Sequence, residues 1–159
     1  MRIVSLLASA TEIVDALGAG PGSGAGPRPA HAELVGRSHE CDNPEWVRSL
    51  PACSSPAFDV SVSSGDIDRE VNRRIRAGEP LYNIHTQRIQ DLQPDLILTQ
   101  EHCEVCAVTP GDLGRSGYSP SDARLLALAA STLDDIFDNI ARIAHALDLE
   151  VRGAEQHRL

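Results

Sequence analysis

Apolar residues fall into short runs and helical repeats that alternate along the chain. Residues 3–7 predict a first buried strand, and Leu34-Val35-Gly36 a short second one. Leu96, Ile97 and Leu98 follow the helix-stopping pair Pro94-Asp95 and form an unbroken run, which suits a strand buried on both faces of a parallel sheet. Residues 125–128 predict a last buried strand, and Leu81-Tyr82 an extended segment. Between the strands the period changes. Ser9 is expected to cap a helix, with Glu12 completing a capping box, Ile13, Val14 and Leu17 on one face, and Gly18 closing it. Ser64 is expected to cap a second helix over 65–77, where Ile67, Val71 and Ile75 repeat at helical spacing. Residues 44–50 predict a helical turn or two with Trp46 packed on the core, 86–92 a helix, and 110–113 a short turn. Thr132 caps the most amphipathic helix, with Leu133, Ile136, Phe137, Ile140, Ile143, Ala144 and Leu147 on one face. This alternation predicts an α/β fold: a single lobe with a parallel, helix-flanked sheet and right-handed crossovers.

Composition narrows the function classes. A chain of 159 residues is one domain with room for a core, and 42% apolar with 23% charged residues is an ordinary globular balance. The net charge of -9 disfavours a nucleic-acid backbone or an anionic membrane surface as partner. No apolar run approaches the ~20 residues of a membrane-spanning helix. Arg2, a short apolar run and Ala8-Ser9-Ala10 imitate a secretion signal, but that run is shorter than the ~7–15 residues of a signal core. The chain as given is therefore expected to be cytoplasmic or to lack its true start. Residues 18–29 are mostly Gly, Ala and Pro, a surface loop; a phosphate loop would need Gly-x-x-x-x-Gly-Lys-Ser/Thr, and the chain has no Lys.

Three polar clusters stand where strands end. The first holds Ser9, Thr11 and Glu12. The second holds Arg37, Ser38, His39, Glu40, Cys41 and Asp42. The third holds Gln100, Glu101, His102, Cys103, Glu104 and Cys106. Ligands of open α/β sheets bind outside the carboxyl ends of the strands, and in a parallel sheet these ends share one edge. The three clusters are thus expected to line one cleft.

These same residues carry a family resemblance. Arg2-Ile3-Val4-Ser5-Leu6 with Ser9-Ala10-Thr11-Glu12, then Gly36-Arg37-Ser38-His39-Glu40-Cys41-Asp42, then Pro94-Asp95-Leu96-Ile97-Leu98-Thr99-Gln100 with Cys103-Glu104-Val105-Cys106-Ala107-Val108, resemble the amino-terminal half of a cobalamin-type substrate-binding protein. That group belongs with the iron-siderophore and cobalamin binding components of ABC transporters, in which two α/β lobes joined by a long helix hold the ligand between them. The resemblance implies binding of a cobalamin-like corrinoid or related metal chelate for ABC-type uptake. It places Ser9, Thr11, Glu12, Arg37, Ser38, His39, Glu40, Gln100, Glu101, Cys103 and Glu104 at the ligand. It further implies an ABC permease as partner and the periplasmic or extracytoplasmic setting typical of the family; the single lobe is expected to be a truncated or partial binding protein, or one that pairs with another copy to complete the cleft. Four departures accompany it. Ala8 stands where the family has Pro, and residues 19–33 form an insertion in a normally short loop. Gln87 lies near a position where related proteins use a carboxylate to meet transporter arginines. The chain reaches Leu159 at the start of an inter-lobe helix, without a second lobe.

The thiols admit other chemistry. Cys103 and Cys106 have Cys-x-x-Cys spacing, and Cys41 with His39 is expected nearby; three thiolates and an imidazole suit tetrahedral zinc. A disulfide or redox pair and plain half-buried thiols remain open, although a thioredoxin-like pair normally follows its strand directly, without the gap from Thr99 to Cys103. Cys53 is expected to be a buried core thiol. Without a nucleophile elbow, metalloprotease helix or nucleotide fingerprint, no enzymatic activity is expected. Two expectations follow. One is a corrinoid- or chelate-binding lobe that needs no cofactor of its own; the other is a small thiol-based zinc or redox module.

Overall fold

The computed structural model describes residues 1–20, 32–101, 105–118 and 123–149. In chain order the elements are β1 (Arg2–Ser5), α1 (Ala8–Val14) running into a π-helical turn (Asp15–Ala19), β2 (Glu33–Arg37), a 3-10 turn (Glu45–Ser49), β3 (Ser54–Pro56), α2 (Ser64–Ala77), β4 (Tyr82–Ile84), α3 (Thr86–Leu92), β5 (Leu96–Gln100), α4 (Pro110–Arg115), β6 (Arg124–Leu128) and α5 (Leu133–Ala146). The main sheet has the order β2-β1-β5-β6 with every pairing parallel, and β3 and β4 make a separate antiparallel pair. The predicted α/β lobe with a parallel, helix-flanked sheet is the observed architecture.

Strand alternation divides the core in two. Ile3, Leu34, Leu96 and Leu98 face Ala10, Val14 and Leu17 after β1 and Ile143, Ala144 and Leu147 of the carboxyl-terminal helical region. Their neighbours Val4, Val35 and Ile97 pack on the opposite side against Ile89, Val108, Leu113 and Tyr118. Both faces are covered, as the unbroken Leu96-Ile97-Leu98 run requires. Each such fully buried aliphatic side chain contributes about 1.5–3 kcal/mol.

Several local expectations are corrected. Helix α1 starts at Ala8, with Leu7 at its N-cap and no side-chain cap. Thr11 N–H donates to the Leu7 carbonyl, so the first helical bond forms two residues before Ser9 could cap, and Ser9 and Glu12 lie on the exposed side. The cap of α2 is Ser63, whose hydroxyl accepts from Asp66 N–H. The expected apolar face of α2 is not buried; Ile75 is 50% exposed. This helix joins the two strands of the small antiparallel sheet, and none of its residues is buried. Strand β6 is an edge strand with Leu125 exposed rather than a fully buried one. In α5, Leu133 and Ile136 at the amino end are exposed while Ile143 and Ala144 are buried, so only the later turns pack on the sheet. Thr132 does cap α5, through a complete capping box with Asp135. Most of the expected 19–33 insertion and the expected start of an inter-lobe helix lie outside the described residues.

Candidate binding edge

The strand order supplies the site's position. From β1 the chain passes outward to β2, and later returns to the other side of β1 to lay down β5 and β6. The order therefore reverses between β1 and β5, and a crevice opens outside the carboxyl ends of strands at such a switch point. In register, Ser5 lies opposite Arg37 on one side and Leu98 on the other, and β5 runs on to Gln100 opposite Leu128. The loop after β2 and the segment after β5 thus flank the end of β1.

The β2 loop is held from within. Arg37 Nη1 donates to the carbonyls of Ser38 at 3.0 Å, Cys41 at 3.3 Å and His39 at 3.4 Å, so one guanidinium gathers the turn. Its Nε is buried with no hydrogen-bond partner among the described residues. Ser38 Oγ lies 3.1 Å from Ser54 Oγ and accepts from Glu40 N–H at 3.3 Å. Ser54 Oγ in turn accepts from His39 N–H at 3.3 Å and lies 2.9 Å from His39 Nδ1. The imidazole packs at a tilt on Tyr82, with ring centroids 5.7 Å apart, and its Nε2 lies 3.9 Å from Glu40 Oε1. Burial lowers the His39 pKa, and the charges of Arg37 and His85 lower it further, which favours the neutral ring. Burial raises the Glu40 carboxyl.

The structure brings together much of what the sequence nominates. Arg37, Ser38, His39 and Glu40 form one connected group. Thr11 and Cys41 meet in the wall behind it: the Thr11 hydroxyl lies 3.1 Å from Cys41 Sγ, and both residues are buried. Gln100 is buried at the end of β5, with its N–H bonded to the Val108 carbonyl at 3.2 Å, and Glu101 is exposed beside it. Ser9 and Glu12 face solvent on α1. Cys103 and Glu104 lie outside the described residues. Of the expected zinc ligands, Cys41 sits in the core, its thiol pKa raised by burial, whereas Cys106 is exposed. Among the described residues, no three His, Cys, Asp or Glu side chains gather to hold a metal ion.

Ser54, Tyr82 and His85 join the group without having been nominated from sequence. The small sheet delivers them: β3 carries Ser54, β4 carries Tyr82, and His85 precedes α3. His85 N–H donates to the Cys53 carbonyl, and Tyr82 Oη donates to the Val105 carbonyl at 2.6 Å, tying β4 to the segment after β5. No local signal marks these residues, because an antiparallel pairing of three-residue strands across a 25-residue separation creates the contact.

Comparison with solved structures fits this geometry. The chain superposes over 99% of its length on BhuT, a periplasmic heme-binding protein in complex with two hemes, with a TM-score of 0.61 and 18% identity. The fold is that of one lobe of a periplasmic binding protein. The periplasmic vitamin B12 binding protein BtuF of Vibrio cholerae matches over 99% of this chain, with a TM-score of 0.61 and 22% identity. A possible iron-binding periplasmic solute-binding protein from Staphylococcus epidermidis matches over 97%, with a TM-score of 0.60 and 22% identity. The chain spans less than half of these proteins, 45%, 46% and 45% of their respective lengths. No protein-family model and no curated protein matches the sequence. Among the described residues no helix is long and apolar enough to cross a membrane.

Proposed function

We propose that this lobe binds a metal chelate, a cobalamin-like corrinoid or a close relative, at the carboxyl edge of its sheet, as a non-enzymatic component of ABC-type uptake. The observation that carries the reading is the position of the Arg37-Ser38-His39-Glu40 group. It stands beside the switch point of a lobe whose fold recurs in proteins described as binding heme, vitamin B12 or iron. A broad ligand needs two walls, since small-molecule sites bury about 70–90% of their ligand. One open edge supplies a single wall. A second lobe completes the cleft, from further chain of the same polypeptide, from a second copy or from a separate polypeptide, and an ABC permease is the downstream partner. The zinc and redox reading is weaker in this geometry, because the Cys41 thiol is turned into the core and paired with Thr11.

The test is titration of the purified chain with aquocobalamin and, separately, with hemin, followed by visible absorbance and calorimetry. Sedimentation of each mixture shows whether binding pairs two copies. Saturable binding of either chelate supports the reading. Failure of both to bind, together with zinc retained through purification, overturns it in favour of the thiol module.

A further inference from the structure

We infer that Tyr82 is a positioning residue of the binding edge, a strut that fixes the segment after β5 against the loop after β2. The inference rests on the chelate-binding reading and adds how the two loops are held together before a ligand arrives.

Three contacts of one side chain carry it. At its base, the Tyr82 ring packs with Ile84 on the core group that holds Val4, Ile97 and Val108. Strand alternation explains this placement. Strand β4 sets Tyr82 opposite Pro56 and Ile84 opposite Ser54, so residues 82 and 84 share one face. On its flank, the ring meets the His39 imidazole at a centroid separation of 5.7 Å and a tilt of 50°. At its tip, the phenol donates to the Val105 carbonyl at 2.6 Å. One residue of the small sheet thus touches the core, the loop after β2 and the segment after β5.

The segment after β5 gains from such a support. Gln100 N–H donates to the Val108 carbonyl at 3.2 Å, so the chain leaves the end of β5 and is bonded back to it within eight residues. Val105 lies on that excursion and is 39% exposed, so burial of its own side chain does little to hold it. A loop pinned only near its ends keeps conformational freedom that a ligand must remove on binding. The attachment at Val105 removes part of that freedom in advance. Tyrosine suits the task, because its rigid ring loses little side-chain entropy and ends in a polar tip. The phenol proton is committed to the Val105 carbonyl, so Tyr82 acts on the ligand through the segment it holds.

Tyr82→Phe is the test, because it keeps the ring with its core and His39 contacts and removes only the phenol donor. In the unliganded variant, hydrogen exchange read by mass spectrometry should speed up about 5-fold over residues 105–109, the scale of one neutral hydrogen bond. The increase should be larger there than over β1. Asn83→Ala is the control for general loosening of the small sheet. It removes the Asn83 side-chain bond to the Pro56 carbonyl and should leave exchange over 105–109 unchanged. Circular dichroism confirms the fold of both variants. Hemin and aquocobalamin are the ligand probes. Tyr82→Phe should bind whichever of them the unaltered chain binds about 5-fold more weakly. Saturation with that chelate should return residues 105–109 of the variant to the exchange rate of the liganded unaltered chain, because the ligand then supplies the ordering. Unchanged exchange over 105–109 in free Tyr82→Phe overturns the strut. Faster exchange with unchanged affinity overturns the positioning role while the proposed function stands. If neither chelate binds the unaltered chain, the proposed function falls and the positioning role with it, and the exchange result alone decides whether the strut holds the segment.

Discussion

The Thr11 hydroxyl lies 3.1 Å from Cys41 Sγ and 3.3 Å from the Leu7 carbonyl, joining two polar clusters thirty residues apart behind the binding edge. Thr11 is completely buried, so its hydroxyl has no solvent to fall back on. Thr11→Val keeps the shape and removes the bond. It should destabilise the chain by about 1 kcal/mol, seen as a lower urea midpoint with unchanged slope. An unchanged midpoint would mean that the contact contributes nothing.

The same burial makes the thiols unequal. Burial raises the Cys41 thiol and pushes Cys53 up to about 11, while Cys106 is exposed. Only thiolate is nucleophilic, and a buried thiol also lacks access to the reagent. Iodoacetamide at pH 8 followed by peptide mapping should label Cys106 in the folded chain, and Cys41 and Cys53 only after unfolding. Rapid native labelling of Cys41 would contradict its position in the core.

What the sequence made legible follows from range. The run Leu96-Ile97-Leu98 suits a strand covered on both faces, and it forms one of the two inner strands of the sheet. The Arg37 to Cys41 cluster was readable because its members are consecutive and a strand end presents them together. Ser54 and Tyr82 were not, since their place beside His39 depends on the pairing of β3 with β4. The period in α2 correctly announced a helix, but periodicity cannot say whether a neighbour exists to cover the apolar face, and Ile75 stayed half exposed. The same blindness made β6 look buried, because its hydrophobic run does not reveal that it lies at a sheet edge.

Gly36 occupies a tight point in β2. A Cβ there would come within 2.7 Å of Leu92 Cδ1, 2.9 Å of Cys53 Sγ and 3.2 Å of Val4 Cγ2. Two of these neighbours, Cys53 and Val4, belong to the buried core. Gly36→Ala should therefore overpack the face behind the Arg37 loop and destabilise the chain by about 1–3 kcal/mol, measurable by thermal or urea unfolding. A neutral or stabilised variant would show that Leu92 and Cys53 yield without strain.

Asp135 gives a pH dependence whose sign can be worked out. Its carboxylate accepts the backbone N–H groups of Ser131 and Thr132, each at 2.8 Å, as part of the capping box that starts α5. These bonds hold its pKa below the ordinary carboxyl value, with the Ser131 N–H the largest cause. The unfolded chain therefore takes up a proton at Asp135 at a higher pH than the folded chain does. Its stabilising contribution is complete above about pH 5, where both forms are ionised, and is lost as pH falls through the folded value. Asp135→Asn removes this titration. Across an unfolding series from pH 6 to pH 3, the unaltered chain should lose more stability than the variant, with the two curves converging toward the acid end. Parallel curves would show that the cap does not distinguish the ionised form of Asp135.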